Sequence, residues 1–231
     1  MGSLTWLGHA SFLLESDAGK RIYVDPFLTG NPKTPDELRE PERVDLIAIT
    51  HGHGDHVGDA VALSQRFPDA PIVAMVELKA WLGSQGANVG PYPGINKGGS
   101  QEIDGIRFTL VNAFHSSPGP EGEYLGEAAG IVIRLEGGQT VYFAGDTCVF
   151  GDMALIARIY RPGYAVLPIG DWFTMGPAEA AVAVELLGNP KVVPCHYGTF
   201  PVLTGTPDEL RREAPGATVL DLEPGDTVEL T

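Results

Sequence analysis

The stretch Leu46-Ile47-Ala48-Ile49-Thr50-His51-Gly52-His53-Gly54-Asp55-His56-Val57-Gly58-Asp59 decides how this chain is read. A continuous apolar run, expected to be a strand buried on both faces as parallel strands are, ends in the pattern HxHxDH. Three imidazoles and a carboxylate crowd into six residues, His51 to His56. A polar surface turn would gain nothing from that crowding, whereas a bound cation would need it. Gly52 and Gly54, lacking a Cβ, are expected to let the backbone bend so that neighbouring side chains converge.

Outward from this point the chain reads as short elements joined by tight turns. Toward the N-terminus, Leu4–Leu7, Ser11–Leu14 and Arg21–Val24 alternate as strands do. Pro26, Pro32, Pro35 and Pro41 forbid regular structure over most of 26–43, leaving a turn at Asp36–Arg39 and a stretch expected to act as a rim or lid. Toward the C-terminus, Asp59 is placed to cap a helix that starts at Ala60 and stops before Pro68. Ile72–Ala74 reads as a strand and Val76–Leu82 as a helix, with 86–100 irregular. Hairpins are expected around Asp104-Gly105 and Gly137-Gly138. Asp152–Tyr160 reads as a helix and Ala165–Leu167 as a strand. Pro177 opens a helix whose Ala180, Val184 and Leu187 form one apolar stripe. Val192–Pro194 is a strand, Pro207–Glu213 a helix, and two short strands close the chain. Hairpins mixed with strand–helix alternation in both halves suggest two sheets faced by helices.

The chain has six histidines. Two lie far downstream of the motif, and each follows an apolar run: His115 after Phe108–Phe114, His196 after Val192–Cys195. Asp146 likewise follows Val141–Gly145. Strand ends that each deliver one ligand-type residue are the pattern of a site assembled at one edge of a sheet, where the departing loops carry the chemistry. Each of the three could instead be a hydrogen-bonded strand-end residue; taken with the motif, the ligand reading wins.

HxHxDH, a later single His, a Gly-Asp after an apolar strand and a final His together resemble the metallo-β-lactamase superfamily. The strings Trp6-Leu7-Gly8-His9-Ala10, Phe114-His115-Ser116, Ala144-Gly145-Asp146-Thr147, Phe173–Pro177 and Cys195–Phe200 are similar to its UlaG-like branch, the UPF0173 metal-dependent hydrolases. The resemblance spans nearly the whole chain. It implies an α/β (α+β) fold, a four-layer αββα sandwich forming a single domain over residues 1–231, with a dinuclear metal site. It also implies that His51, His53 and His115 hold one divalent ion, that Asp55, His56 and His196 hold a second, and that Asp146 bridges the two. Such Asp/His sets suit Zn²⁺ first and also accept Mn²⁺, Fe²⁺ or Ni²⁺. The di-iron branch of the superfamily typically has Glu where this chain has His53, which points away from oxygen or nitric-oxide redox chemistry. Structural zinc sites are closed and four-coordinate, so seven ligands for two ions leave room for water.

The activity implied is hydrolysis of a phosphoester or lactone-type small-molecule substrate by a metal-bridging hydroxide. Two ions roughly 3.5–4 Å apart acidify water and clamp the attacking and leaving oxygens. Asp55 is expected to orient that nucleophile as well as ligate. The superfamily does not use the position of His9 as a ligand, and His9 is expected either to supply a proton or simply to be a buried, satisfied residue. Asp25 is read either as a partner to a ligand histidine or as a turn residue beside Pro26. Tyr197 and Thr199 are candidate pocket groups, and Cys148 and Cys195 are expected to pack as buried small hydrophobes. The Asp171-Trp172 pair is atypical of the branch. If its turn lines the pocket, substrate preference differs from that of relatives.

Composition bounds these readings. With 231 residues and 43% hydrophobic content, the chain can fill a core without a disulfide framework, and it has only two cysteines. A net charge of −15 and no Lys/Arg run argue against nucleic acid as a partner. No apolar run approaches a membrane span and no signal peptide is evident, so a cytoplasmic location without membrane association is expected. Many proteins of the branch associate, which leaves a homo-oligomer open. Two other functions remain in view: an RNA-processing nuclease of the same superfamily, and a non-catalytic metal-dependent binding or sensing protein.

Overall fold

The computed structural model describes residues 1–231. The first half of the chain builds one sheet from β1 (Ser3–Trp6), β2 (Phe12–Glu15), β3 (Arg21–Val24), β4 (Leu46–Ala48) and β5 (Ile72–Val73). The second half builds another from β6 (Ser100–Ile103), β7 (Ile106–Asn112), β8 (Ala129–Arg134), β9 (Thr140–Phe143), β10 (Tyr164–Pro168) and β11 (Lys191–Cys195). The last strand, β12 (Thr227–Glu229), returns to the first sheet. The two six-stranded orders are β12-β1-β2-β3-β4-β5 and β11-β10-β9-β8-β7-β6. Both sheets are mixed: β12-β1-β2-β3 and β6-β7-β8-β9 pair antiparallel, while β3-β4-β5 and β9-β10-β11 run parallel.

The helices are α1 (Gly54–Val57), α2 (Ala60–Arg66), α3 (Val76–Ser84), α4 (Met153–Tyr160), α5 (Pro177–Leu186) and α6 (Pro207–Glu213). One core fills the space between the sheets, where the Phe12 and Phe143 rings meet edge-on at 5.8 Å, and continues beneath α2 and α3 through Leu63, Leu78 and Leu82. A second core lies between the other sheet and α4, α5 and α6, through Ile156, Val184 and Leu210. Two sheets packed face to face with helices outside are the expected αββα sandwich. Each fully buried Leu or Ile in these layers contributes about 1.5–3 kcal/mol by leaving water.

Several expectations need correction. One strand closes the chain rather than two, because residue Val219 makes only an isolated bridge to Val192. The Pro-rich stretch 26–43 is not a free lid: Leu28, Asn31 and Thr34 are buried, and the Thr34 hydroxyl donates to the Leu7 carbonyl. Asp59 occupies the position before α2 without capping it. Its carboxylate instead accepts from the backbone N–H groups of Leu28 and Thr29 and from the Thr29 hydroxyl, tying that stretch to the HxHxDH loop. The loop itself contains a turn of helix, α1, which puts Asp55 and His56 on consecutive positions facing the cleft between the sheets. Neither Gly52 nor Gly54 adopts a left-handed backbone. Gly52 matters for space: a Cβ there would meet Leu125 and the carbonyl oxygens of Ser117 and Pro118, while Gly54 faces open space.

Candidate metal centre

The HxHxDH segment leaves β4 of one sheet, and His115, Asp146 and His196 leave β7, β9 and β11 of the other. Because β7, β9 and β11 point the same way, their ends deliver three side chains to one mouth, opposite the end of β4. All seven expected ligands come together there. His56 Nε2 lies 3.3 Å from Asp146 Oδ1. Asp146 Oδ2 lies 3.2 Å from His196 Nε2, 3.5 Å from His115 Nε2 and 4.0 Å from His51 Nε2. His51 Nε2 and His53 Nδ1 are 3.0 Å apart, and His196 Nε2 is 3.8 Å from Asp55 Oδ2.

Two groups of side chains have ligand atoms near enough to share an ion: His51, His53, His115 and Asp146 form one, and His9, Asp55, His56 and His196 the other. Asp146 sits between them, its Oδ2 near His115 and His51 of the first group and near His196 of the second, its Oδ1 near His56.

The hydrogen bonds fix which atoms are free. Asp25 is buried and accepts three bonds: from the Thr50 N–H at 2.8 Å, the Thr50 hydroxyl at 2.6 Å and His56 Nδ1 at 2.8 Å. With the Thr50 proton spent on Asp25, its oxygen accepts from His51 Nδ1 at 3.0 Å. Both histidines are thereby held with the Nε2 lone pair turned into the cleft, the arrangement that outer hydrogen bonds impose on metal-ligating imidazoles. Asp25 therefore serves as the histidine partner, and it also turns the chain, with φ 48°.

His56 Nε2, Asp146 Oδ1 and His196 Nε2 are buried without any hydrogen-bond partner. Unsatisfied buried polar atoms are costly. Three of them converging, all lone-pair donors, fit a divalent cation. The electrostatic surroundings agree. Burial pushes the His56 pKa down, but the Asp146 and Asp25 carboxylates outweigh it and hold it well above the ordinary value. The negative field at His56 thus demands positive charge, which a metal ion would supply in place of a proton. His51 is held well below its ordinary pKa by burial and by the charge of His56, and His53 and His115 are lowered chiefly by burial.

His9 is fully buried. Its Nε2 lies 3.0 Å from Asp55 Oδ2 and its Nδ1 3.0 Å from the Thr199 hydroxyl. Burial pushes its pKa down to about 4, against the opposing pull of Asp55. Burial also pushes the Asp55 carboxyl upward, yet the His9 hydrogen bond and the His56 charge hold it below its usual range. Near neutral pH the pair is therefore neutral imidazole and carboxylate, with the proton on Nε2 and the Thr199 hydroxyl donating to Nδ1. His9 and His196 are also joined through the backbone, His196 N–H to His9 C=O at 2.9 Å, and the Trp6 indole donates to the same carbonyl. Both histidines adopt φ 55°. Left-handed non-glycine backbone costs about 1–2 kcal/mol per residue and concentrates at functional sites.

The cleft is an open cavity of about 370 Å³ lined by His53, Asp55, His115, Ser116, Asp146, Phe173 and His196. The turn that carries Asp171-Trp172 reaches the cavity through Phe173. Ser116, which the sequence did not single out, reaches within 3.3 Å of His53 Nε2. Cys195 is buried as expected, whereas Cys148 is exposed. Tyr197 stacks on Trp6 at 5.3 Å instead of lining the cavity.

Residues 20–197 match the family model described as a beta-lactamase superfamily domain. The chain belongs to the metallo-β-lactamase superfamily. Within it, the relatives are UPF0173 metal-dependent hydrolases. The one from Herpetosiphon aurantiacus is 46% identical over 97% of this chain and 96% of its own. The one from Solibacter usitatus is 47% identical over 98% and 99%. Among solved structures, the metallo hydrolase Igni18 from Ignicoccus hospitalis is 36% identical, with a TM-score of 0.87 covering 98% of this chain and 97% of that one. The superfamily match ends at Tyr197 and begins at Lys20, so His9 and Thr199 lie outside it.

Proposed function

We propose that residues 1–231 form one catalytic domain that hydrolyses a small-molecule phosphoester or lactone with two divalent cations, Zn²⁺ first among the candidates. The observation that carries this is the convergence of His56 Nε2, His196 Nε2 and Asp146 Oδ1, buried and unpartnered. His51, His53 and His115 would hold one ion, Asp55, His56 and His196 the other, and Asp146 both. When bound, such a pair acidifies water and polarises the carbonyl or phosphoryl oxygen.

The remaining work falls to the chain itself. Asp55, part-exposed to the cavity, accepts a hydrogen bond from the attacking water and aims it at the substrate. His9 holds the Asp55 carboxylate from behind by donating Nε2–H. Its burial places it out of direct reach of a leaving group, so we assign His9 to positioning Asp55. Thr199 fixes the His9 tautomer. Ser116, at the mouth beside His53, is placed to donate to a substrate oxygen.

The test is turnover of bis(p-nitrophenyl) phosphate, simple lactones and labelled RNA by metal-loaded protein and by the Asp146→Ala variant. Turnover of the ester or a lactone, lost in the variant, supports the reading. Turnover of RNA alone would make the chain a nuclease, and two bound ions without turnover of any of them would make it a binding protein.

A further inference from the structure

The loops that bring in the candidate ligands also bring in exposed aromatic rings. Phe114, 54% exposed, precedes His115, and its ring meets Phe150, four residues after Asp146, at 5.2 Å. Phe200, four residues after His196, packs edge-on against His9 at 5.5 Å. Phe173 lines the cavity at 55% exposure, and Trp172 beside it is 71% exposed. Large apolar side chains left this open on the loops that bring in the candidate ligands, one of them lining the cavity, need a reason.

The turn that holds the last two is strained. Asp171 and Trp172 have φ 65° and 60°, consecutive left-handed residues, neither of them glycine. The strain is fixed from both sides: the Asp171 carboxylate accepts from the Trp172 N–H, the Asp171 N–H donates to Met175 C=O, and the Met175 N–H donates to Thr147 C=O beside Asp146. The Trp172–Phe173 pair is thus pinned to the loop that carries the central carboxylate. A strained turn that carries two exposed aromatic rings, one of them lining the cavity, is more than packing requires.

Charge points the same way. None of the cavity-lining residues is Lys or Arg. The segments 50–59, 113–128, 145–151, 169–176 and 196–203, which carry the ligands and the rings, contain neither. A substrate bearing a phosphate or carboxylate remote from the scissile bond would find nothing cationic there to receive it.

Building on the hydrolase reading, we propose that Trp172, Phe173, Phe114 and Phe200 form an apolar clamp, and that the substrate is uncharged away from its scissile bond and carries an aromatic or branched apolar group beside it. Rings of this kind exclude water from the reacting bond and select by apolar area.

The experiment compares the metal-loaded protein on matched lactones, one with a phenylethyl and one with a carboxyethyl substituent, in wild type, Trp172→Ala and Phe173→Ala. It is accompanied by binding of neutral N-phenylethylacetamide, followed by equilibrium dialysis, and by sedimentation. The expected result is a phenylethyl-over-carboxyethyl ratio of kcat/KM of about tenfold or more, the range an apolar pocket supplies. That ratio should fall toward unity in both variants. Equal or reversed preference in wild type, or a ratio unmoved by both substitutions, overturns the proposal. So does a dimer that dissociates in the variants, since the rings would then be an interface between copies. If neither lactone nor bis(p-nitrophenyl) phosphate turns over but the amide binds wild type and not the variants, the hydrolase reading fails and the clamp stands. If the amide does not bind either, the clamp fails as well.

Discussion

Asp25 Oδ2 lies 2.8 Å from His56 Nδ1, with both residues buried, so one carboxylate sets the orientation of a histidine whose other nitrogen faces the metal cleft. Asp25→Asn keeps the shape and removes the charge. Outer partners of this kind are worth 10–100-fold in metal affinity. Competitive chelator titration should show a loss of about that size for the more weakly held ion, with the fold preserved by circular dichroism. An unchanged affinity would show that Asp25 serves only the turn at φ 48°.

Thr199 and His9 make a second prediction. Thr199→Val removes the hydroxyl 3.0 Å from His9 Nδ1 and leaves the imidazole free to take the tautomer that turns a lone pair toward Asp55. Activity should fall about tenfold in kcat with KM and metal content unchanged, the pattern of a group acting on the transition state alone. A fall in metal content instead would mean that His9 is itself a ligand.

The metal-free protein should respond to pH in two directions. His56 has a folded pKa above its unfolded one, so its contribution is full below about pH 6.5 and is lost as pH rises through the folded value. His9, His51, His53 and His115 have lowered folded values. Below about pH 6.5 the unfolded chain binds more protons at these four, and stability falls as pH falls. For His9 alone, between pH 6.5 and about 4, this amounts to about 3 kcal/mol. Urea midpoints of apo-protein should therefore fall on acidification below about pH 6.5 and fall again on the alkaline side as His56 loses its proton. Asp25→Asn should reduce the alkaline drop, because it removes one of the two carboxylates that raise His56. Alkaline sensitivity unchanged by that substitution would contradict the assignment.

Much of the centre was legible because its ligands announce themselves locally. The motif sits at the end of an apolar run, and His115, Asp146 and His196 each follow another, so strand ends and ligand positions could be read together. What could not be read depends on contacts distant in sequence. The His9–Thr199 bond spans 190 positions, and nothing local to either residue signals the other. Asp59 looks like a cap from its neighbours alone, but the Leu28 and Thr29 N–H groups that claim its carboxylate come from a Pro-rich stretch whose burial no periodicity reveals. The turn α1 was hidden because glycines and histidines mask a helix of one turn. The second closing strand failed because Val219 has only a single partner residue.

Gly170 shows how the sheet edge seats the site. A Cβ there would fall on the carbonyl oxygen of His196, one of the left-handed residues of the centre. Gly170→Ala should displace His196, lowering the thermal midpoint by several degrees, as a loss of about 1–3 kcal/mol would, and weakening metal binding with it. A variant with wild-type metal affinity would show that the strand end tolerates the shift.

The central claim is two ions bridged by one carboxylate, and metal stoichiometry tests it most directly. Apo-protein reconstituted with excess Zn²⁺ or Mn²⁺, freed of unbound metal and measured by mass spectrometry of the elements, should carry two ions per chain. Asp146→Ala should carry fewer than two, because the carboxylate that lies between the two groups of side chains has gone. One ion per chain, or two ions per chain undiminished in Asp146→Ala, would contradict the account.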